Sequence, residues 1–216
     1  MDIIKIFYNS RNSENAAAMK KYMGNRFEFI GIKKPERALL SKEFLKEKKK
    51  DNKADWHMIF ELYSLEEREF QYLAIDYLSV VKKILVFEDI INIQELITEK
   101  SWWDTSDSID NIVAHMALSD PGIKRDIISK WVKSDNVWLK RVSILFQLKY
   151  KENTDTDFLK YAVSENYGTN EFFVDKAIGW ALREYSKTNP GWVRDFITQN
   201  REDLSSLSYR EAVKYI

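Results

Sequence analysis

Phe172-Phe173-Val174-Asp175-Lys176-Ala177-Ile178-Gly179-Trp180-Ala181-Leu182-Arg183-Glu184-Tyr185 is the stretch that decides the fold. Phe173, Ala177, Trp180, Ala181 and Glu184 recur at intervals that place them along one strip of a helix. The same spacing runs through residues 68–80, where Phe70, Leu73, Ala74 and Tyr77 form a stripe. It returns in 137–148, where Val137, Ile144, Leu145 and Leu148 share a strip with one misfit, Arg141. Ser64, Asp120, Ser134 and Asn170 stand before such segments as helix-start signals. The links are brief: Asp120-Pro121-Gly122, Lys151-Glu152-Asn153, Asn189-Pro190-Gly191. Only 6 Gly and 3 Pro occur, too few for the tight turns of a sandwich or barrel. The pattern predicts roughly ten to twelve helices and no strand hairpin.

The helices are periodic. Tyr72, Arg141 and Lys176 open similar stretches, Leu73-Ala74-Ile75, Val142-Ser143-Ile144 and Ala177-Ile178-Gly179, at separations of 69 and 35 residues. Ser106 fills the gap, 35 residues before Arg141. Paired-helix solenoids repeat on this scale, and their concave face is where large ligands lie. The expected fold is therefore all-α, an α-solenoid (superhelix) with a groove. The 216 residues suffice for one sizeable domain.

Composition excludes several chemistries. There is no cysteine, hence no disulfide and no thiol nucleophile. The two histidines, His57 and His115, are far apart, which argues against a zinc site. No Gly-rich phosphate loop and no nucleotide or flavin signature occurs, so no cofactor and no metal are expected. No apolar run is long enough to span a membrane and no signal-peptide pattern opens the chain, so the expected location is cytoplasmic, with no membrane partner. Net charge is zero, 34 basic against 34 acidic residues. The distribution is uneven: residues 1–53 hold 14 Lys and Arg against 7 Asp and Glu, and the rest 20 against 27. The basic N-terminal quarter could meet phosphates, or Lys46, Lys48, Lys49 and Lys50 could simply be a solvated helix end.

Ser101-Trp102-Trp103-Asp104-Thr105-Ser106-Asp107 holds the most unusual chemistry. Trp102 and Trp103 point roughly 100° apart on a helix, so one can enter a core while the other faces elsewhere. Trp103 and Asp107 share a face one turn apart. An indole beside a carboxylate suits a site for something flat, apolar or cationic. Trp102 is the better core residue, and Asp104 the better cap. On the repeat register Asp107, Arg141 and Trp180 follow one another at 34 and 39 residues. Each has a plainer reading: Asp107 stabilises a helix start, Arg141 makes a structural ion pair, Trp180 packs a core. Their recurrence at repeat spacing favours a shared site.

Residues 22–37, Arg68-Glu69-Phe70-Gln71-Tyr72, Trp102-Trp103-Asp104, Trp138-Leu139-Lys140-Arg141 and 172–185 occur in an order that resembles the DNA alkylation repair enzymes. These are AlkD-like DNA glycosylases built of HEAT-like helical repeats, and the resemblance covers nearly the whole chain as a single domain, 1–216. It implies a catalytic aspartate at Asp107, active-site tryptophans at Trp103 and Trp180, a groove arginine holding a phosphate at Arg141, and a site-closing tyrosine at Tyr22. By position it implies phosphate contacts at Lys149, Arg183 and Lys187. One departure is Ala38, where many relatives carry a second arginine after Pro35-Glu36-Arg37. The implied activity is hydrolysis of the N-glycosidic bond of cationic N3- or N7-alkylated purines in duplex DNA, without a base-flipping pocket, by a nucleoid-associated monomer. Two other readings use the same fold: a non-catalytic repeat protein that binds distorted or branched DNA, and a protein-binding scaffold.

Overall fold

The computed structural model describes residues 2–216. The class is all-α, and the one β feature among the described residues is an isolated bridge between Glu28 and Glu67. The chain forms two compact units, Met1–Val86 and Phe87–Ile216.

The first unit contains α1 (Ile3–Asn9), α2 (Ser13–Tyr22), α3 (Lys34–Lys48), α4 (Trp56–Ser64) and α5 (Arg68–Val81). Asp2, Asn12 and Asp55 each cap a helix by accepting a backbone N–H. Helix α3 has no side-chain cap and instead carries Pro35 in its first turn, where a missing N–H costs nothing. The stripe Phe70, Leu73, Ala74 and Tyr77 is fully buried, as its spacing predicts. Beside it the buried Glu69 carboxylate accepts the N–H groups of Ile30, Gly31 and Ile32 at 2.8–3.0 Å, which pins that loop. Gly31 has φ +99°, and a Cβ would collide with the Asn12 carbonyl oxygen, so only glycine fits. The Lys46–Lys50 run closes α3, where positive charge favours the helix end, and Lys48 pairs with Asp55 at 3.2 Å. Ala38 is exposed on α3.

The second unit contains α6 (Asp89–Thr98), α7 (Trp103–Ser119), α8 (Pro121–Ile123), α9 (Ser129–Val132), α10 (Val137–Leu145), α11 (Thr156–Ser164), α12 (Phe172–Ser186), α13 (Pro190–Gln199) and α14 (Ser206–Ala212). Residues 124–128 between α8 and α9 form a π-helical turn. Helices α7, α10, α12 and α14 pack in sequence, each on the next, while α6, α9, α11 and α13 pack on them as a second layer. The core between the layers includes Leu145, Leu159, Val163, Ile178, Leu182 and Val193. The 35-residue period is written in the hydrogen bonds. Asn166 reaches the Val132 carbonyl across 34 residues, Tyr150 the Ala114 carbonyl across 36, Ser208 the Asp175 carbonyl across 33 and Lys176 the Glu211 carboxylate across 35. Each repeat thus bonds to the equivalent place in the next, as stacked repeats do.

The expected start signals fare unevenly. Asp120 caps α8 through the Gly122 N–H. Asn136, not Ser134, caps α10. Ser64 ends α4 rather than starting α5, and Asn170 sits at φ +56° ahead of Glu171, the residue that precedes α12.

Candidate active site

Asp107 lies in the second turn of α7, four residues past Trp103. Arg141, the misfit of α10, has a side chain only 4% exposed, and it turns toward Asp107. Its Nε donates to Oδ1 at 2.7 Å and its Nη2 to Oδ2 at 2.9 Å. This is the bidentate fork that fixes a carboxylate in both position and plane. The third arm, Nη1, donates to the Phe173 carbonyl at 2.7 Å. One guanidinium thus ties α7, α10 and α12 together. It also lies 6.0 Å from the ring centres of both Phe173 and Trp180. The ion-pair reading of Arg141 and its place in the candidate site are the same fact. Within the protein the guanidinium holds Asp107.

A cleft of about 370 Å³ opens beside this pair. Trp103 and Asp107 contribute from α7, Arg141 from α10, and Phe173, Lys176, Trp180 and Arg183 from α12. The α12 residues follow at intervals of three, four and three, so they form a single face. Trp180 is half-buried: it packs against the core and still lines the cleft. Behind Phe173 stands an aromatic cluster. Trp102 and Trp138 each lie 4.9 Å from its ring, and Phe172 lies 5.2 Å away. Trp102 is therefore a half-buried buttress rather than a core residue. Asp104 is not the cap either. Trp102 holds the N-cap position of α7, so Asp104 falls within the first turn, where its charge still favours the helix start.

At the far end of that face the cations are shared. Lys176, Arg183 and Lys214 all pair with Glu211 of α14. Hydrogen bonds from Lys176 and Lys214 hold the Glu211 carboxyl down to about 2. Three cations on one carboxylate leave this flank positive. Gly179 allows the approach, since a Cβ there would come within 2.5 Å of the Glu211 Cβ and 2.8 Å of the Ser208 carbonyl oxygen.

Neither Lys149 nor Lys187 lines this cleft. Lys149 and Lys187 are exposed at the rim of a second cavity, of about 400 Å³, whose floor includes Ile144, Leu148, Leu159 and Ala181. Lys187 pairs with Glu184 at 2.6 Å. Tyr22 ends α2 in the first unit and is 77% exposed. The sequence reading missed Phe173 and Lys176 as cleft residues, although both share the Trp180 face and could have been found there. It also missed Asp110, buried one turn beyond Asp107, whose carboxyl is pushed well above the usual range by burial, with the Asp107 charge adding and Arg141 opposing. Among the described residues no cluster of His, Cys, Asp or Glu is placed to hold a metal, and no helix is long and apolar enough to cross a membrane.

Residues 3–216 match the family model of the DNA alkylation repair enzymes. Among solved structures, a predicted DNA alkylation repair enzyme from Enterococcus faecalis superposes with a TM-score of 0.90 at 37% identity, covering 95% of this chain and 96% of that one. The smu.31 protein of Streptococcus mutans UA159 superposes at 0.61 with 19% identity, over 83% of this chain and 97% of that one, a likeness of fold alone. No curated protein matches the chain.

Proposed function

The chain belongs to the DNA alkylation repair enzyme family, and from that membership we propose that it is a monofunctional DNA glycosylase releasing cationic N3- and N7-alkylpurines, such as 3-methyladenine and 7-methylguanine, from duplex DNA. The observation that carries the proposal is the Asp107 carboxylate, held in a fork by Arg141 at the edge of a cleft with indole walls.

Alkylation at N3 or N7 puts a positive charge on the purine and weakens its bond to the sugar. Cleavage leaves an oxocarbenium-like sugar, as in other glycoside hydrolysis. A carboxylate already fixed beside C1′ stabilises that charge without reorganising, and such preorganised groups are worth about 10²–10³ in rate. Trp103 and Trp180 present negative ring faces to the cationic lesion and its sugar, each worth about 0.5–2 kcal/mol. The bonding pair leaves on the purine and neutralises it, so no leaving-group acid is needed. Water adds at C1′ and gives its proton to Asp107 and then to solvent. Arg141 sets the plane of Asp107. The exposed cations Lys149 and Lys187, and the positive flank at Arg183, hold backbone phosphates, and the exposed Tyr22 offers a further contact to the duplex.

The test is release of free 7-methylguanine from methylated duplex. Asp107→Asn should bind the duplex as wild type does and release base at least 100-fold more slowly, on the order expected for a lost charge-stabilising group. Equal release by both proteins would remove Asp107 from the chemistry. Binding without release by wild type would favour a non-catalytic DNA-binding protein.

A further inference from the structure

Asp107 and Trp180 border two spaces. One is the cleft; the other is an adjoining chamber of about 140 Å³. Its walls come from Asp110, Asn111 and Ala114 of α7, from Leu145 and Phe146, and from Leu148 and Lys149 beyond them. A water's share of liquid volume is about 30 Å³, so the chamber has room for a few. A held water needs two to four polar partners. Asp107, Asp110, Asn111 and Lys149, four residues with polar side chains, all line this wall.

Asp110 is the residue without another explanation. It is 7% exposed, and its Oδ1 has no hydrogen-bond partner among the described residues. The Ser106 hydroxyl, one turn earlier on α7, is in the same condition. Arg141 is committed to Asp107 and to the Phe173 carbonyl. A buried carboxyl oxygen left without a partner weakens the fold, so packing gives no reason for an aspartate here. Burial and the neighbouring Asp107 charge make Asp110 keep its proton to higher pH than an ordinary carboxyl, so it can act as a donor.

We propose that Asp110 is a positioning residue for the hydrolytic water: its carboxylic acid and the Asp107 carboxylate hold that water between them where the chamber meets the cleft. The inference rests on the glycosylase reading of the cleft. The water accepts a hydrogen bond from the Asp110 O–H on one lone pair and donates one O–H to Asp107. Its other lone pair forms the bond to C1′ as the glycosidic pair departs on the purine. The proton passes to Asp107, and Asp110 ends the cycle as it began.

Single-turnover release of 7-methylguanine from saturating methylated duplex, measured beside duplex affinity and Tm, decides the matter. Asp110→Ala should lower the rate about 100-fold or more, the lower end of what a group positioned for proton transfer contributes. Affinity should be unchanged and Tm close to that of wild type, because the buried Asp110 Oδ1 has no hydrogen-bond partner among the described residues to lose. Asp110→Asn keeps an N–H donor in the same place and should recover most of the rate. An unchanged rate in Asp110→Ala, or an equal loss in both variants, would overturn the proposal. No release by wild type would instead overturn the glycosylase reading, and the inference would fall with it.

Discussion

Three of the N–H groups of Arg141 are engaged inside the protein, two by Asp107 and one by the Phe173 carbonyl. The side chain therefore does more for the placement of Asp107 than a loose groove cation could. Lysine keeps the charge but not the planar fork, so Arg141→Lys is not conservative here. Removing one partner of a buried pair costs about 3–5 kcal/mol, and a lysine that reaches part-way should cost less. The expected result is a lower Tm and a release rate reduced about tenfold or more, with the salt dependence of duplex binding unchanged. A salt slope that falls by one at full rate would show that Arg141 serves a phosphate instead. Arg141 was legible as an anomaly because one charged residue interrupts an apolar strip. Its partner was legible only through the 34-residue offset, and nothing in the sequence says that the fork also closes on a carbonyl of α12.

Helices α12 and α14 meet at Gly179 and Glu211, and the site inherits their geometry because Trp180 follows Gly179 directly. Glu211 couples this contact to pH. Its folded-state value of about 2 lies below the ordinary 4.5, so the unfolded chain takes up its proton first. The stabilisation is present above about 4.5 and is lost as pH falls toward about 2. Wild type should therefore show a higher Tm than Glu211→Gln near neutrality, with the gap closing between pH 4.5 and 2. A constant gap across that window would mean that the cations do not stabilise Glu211. The helices themselves could be read from apolar spacing, because burial sets that spacing. Their ends could not, because whichever nearby oxygen reaches the free N–H groups decides the start. Asn136 does so ahead of Ser134, and a positive φ removes Asn170 from contention. Glu211 left no signal at all: its meaning comes from Lys176 and Arg183, 35 and 28 residues away.

For the whole molecule, zero net charge means that any grip on DNA comes from local clusters rather than a general field. Binding to duplex should still weaken steeply with salt, and Lys149→Ala and Lys187→Ala should each reduce the log–log slope by about 1 without changing lesion preference. A slope that neither substitution moves would take the second cavity's rim out of the interface. The all-α class follows from the sequence because helical apolar spacing runs almost throughout, and the repeat length because similar apolar-small stretches recur 69 and 35 residues apart. The division into two compact units does not, since no Pro- or Gly-rich linker marks Val86 and Phe87. The most direct measurement is to incubate wild type with duplex DNA carrying 7-methylguanine and analyse both products. Free 7-methylguanine together with an uncut strand bearing an abasic site is the expected result; tight binding with no free base would contradict it.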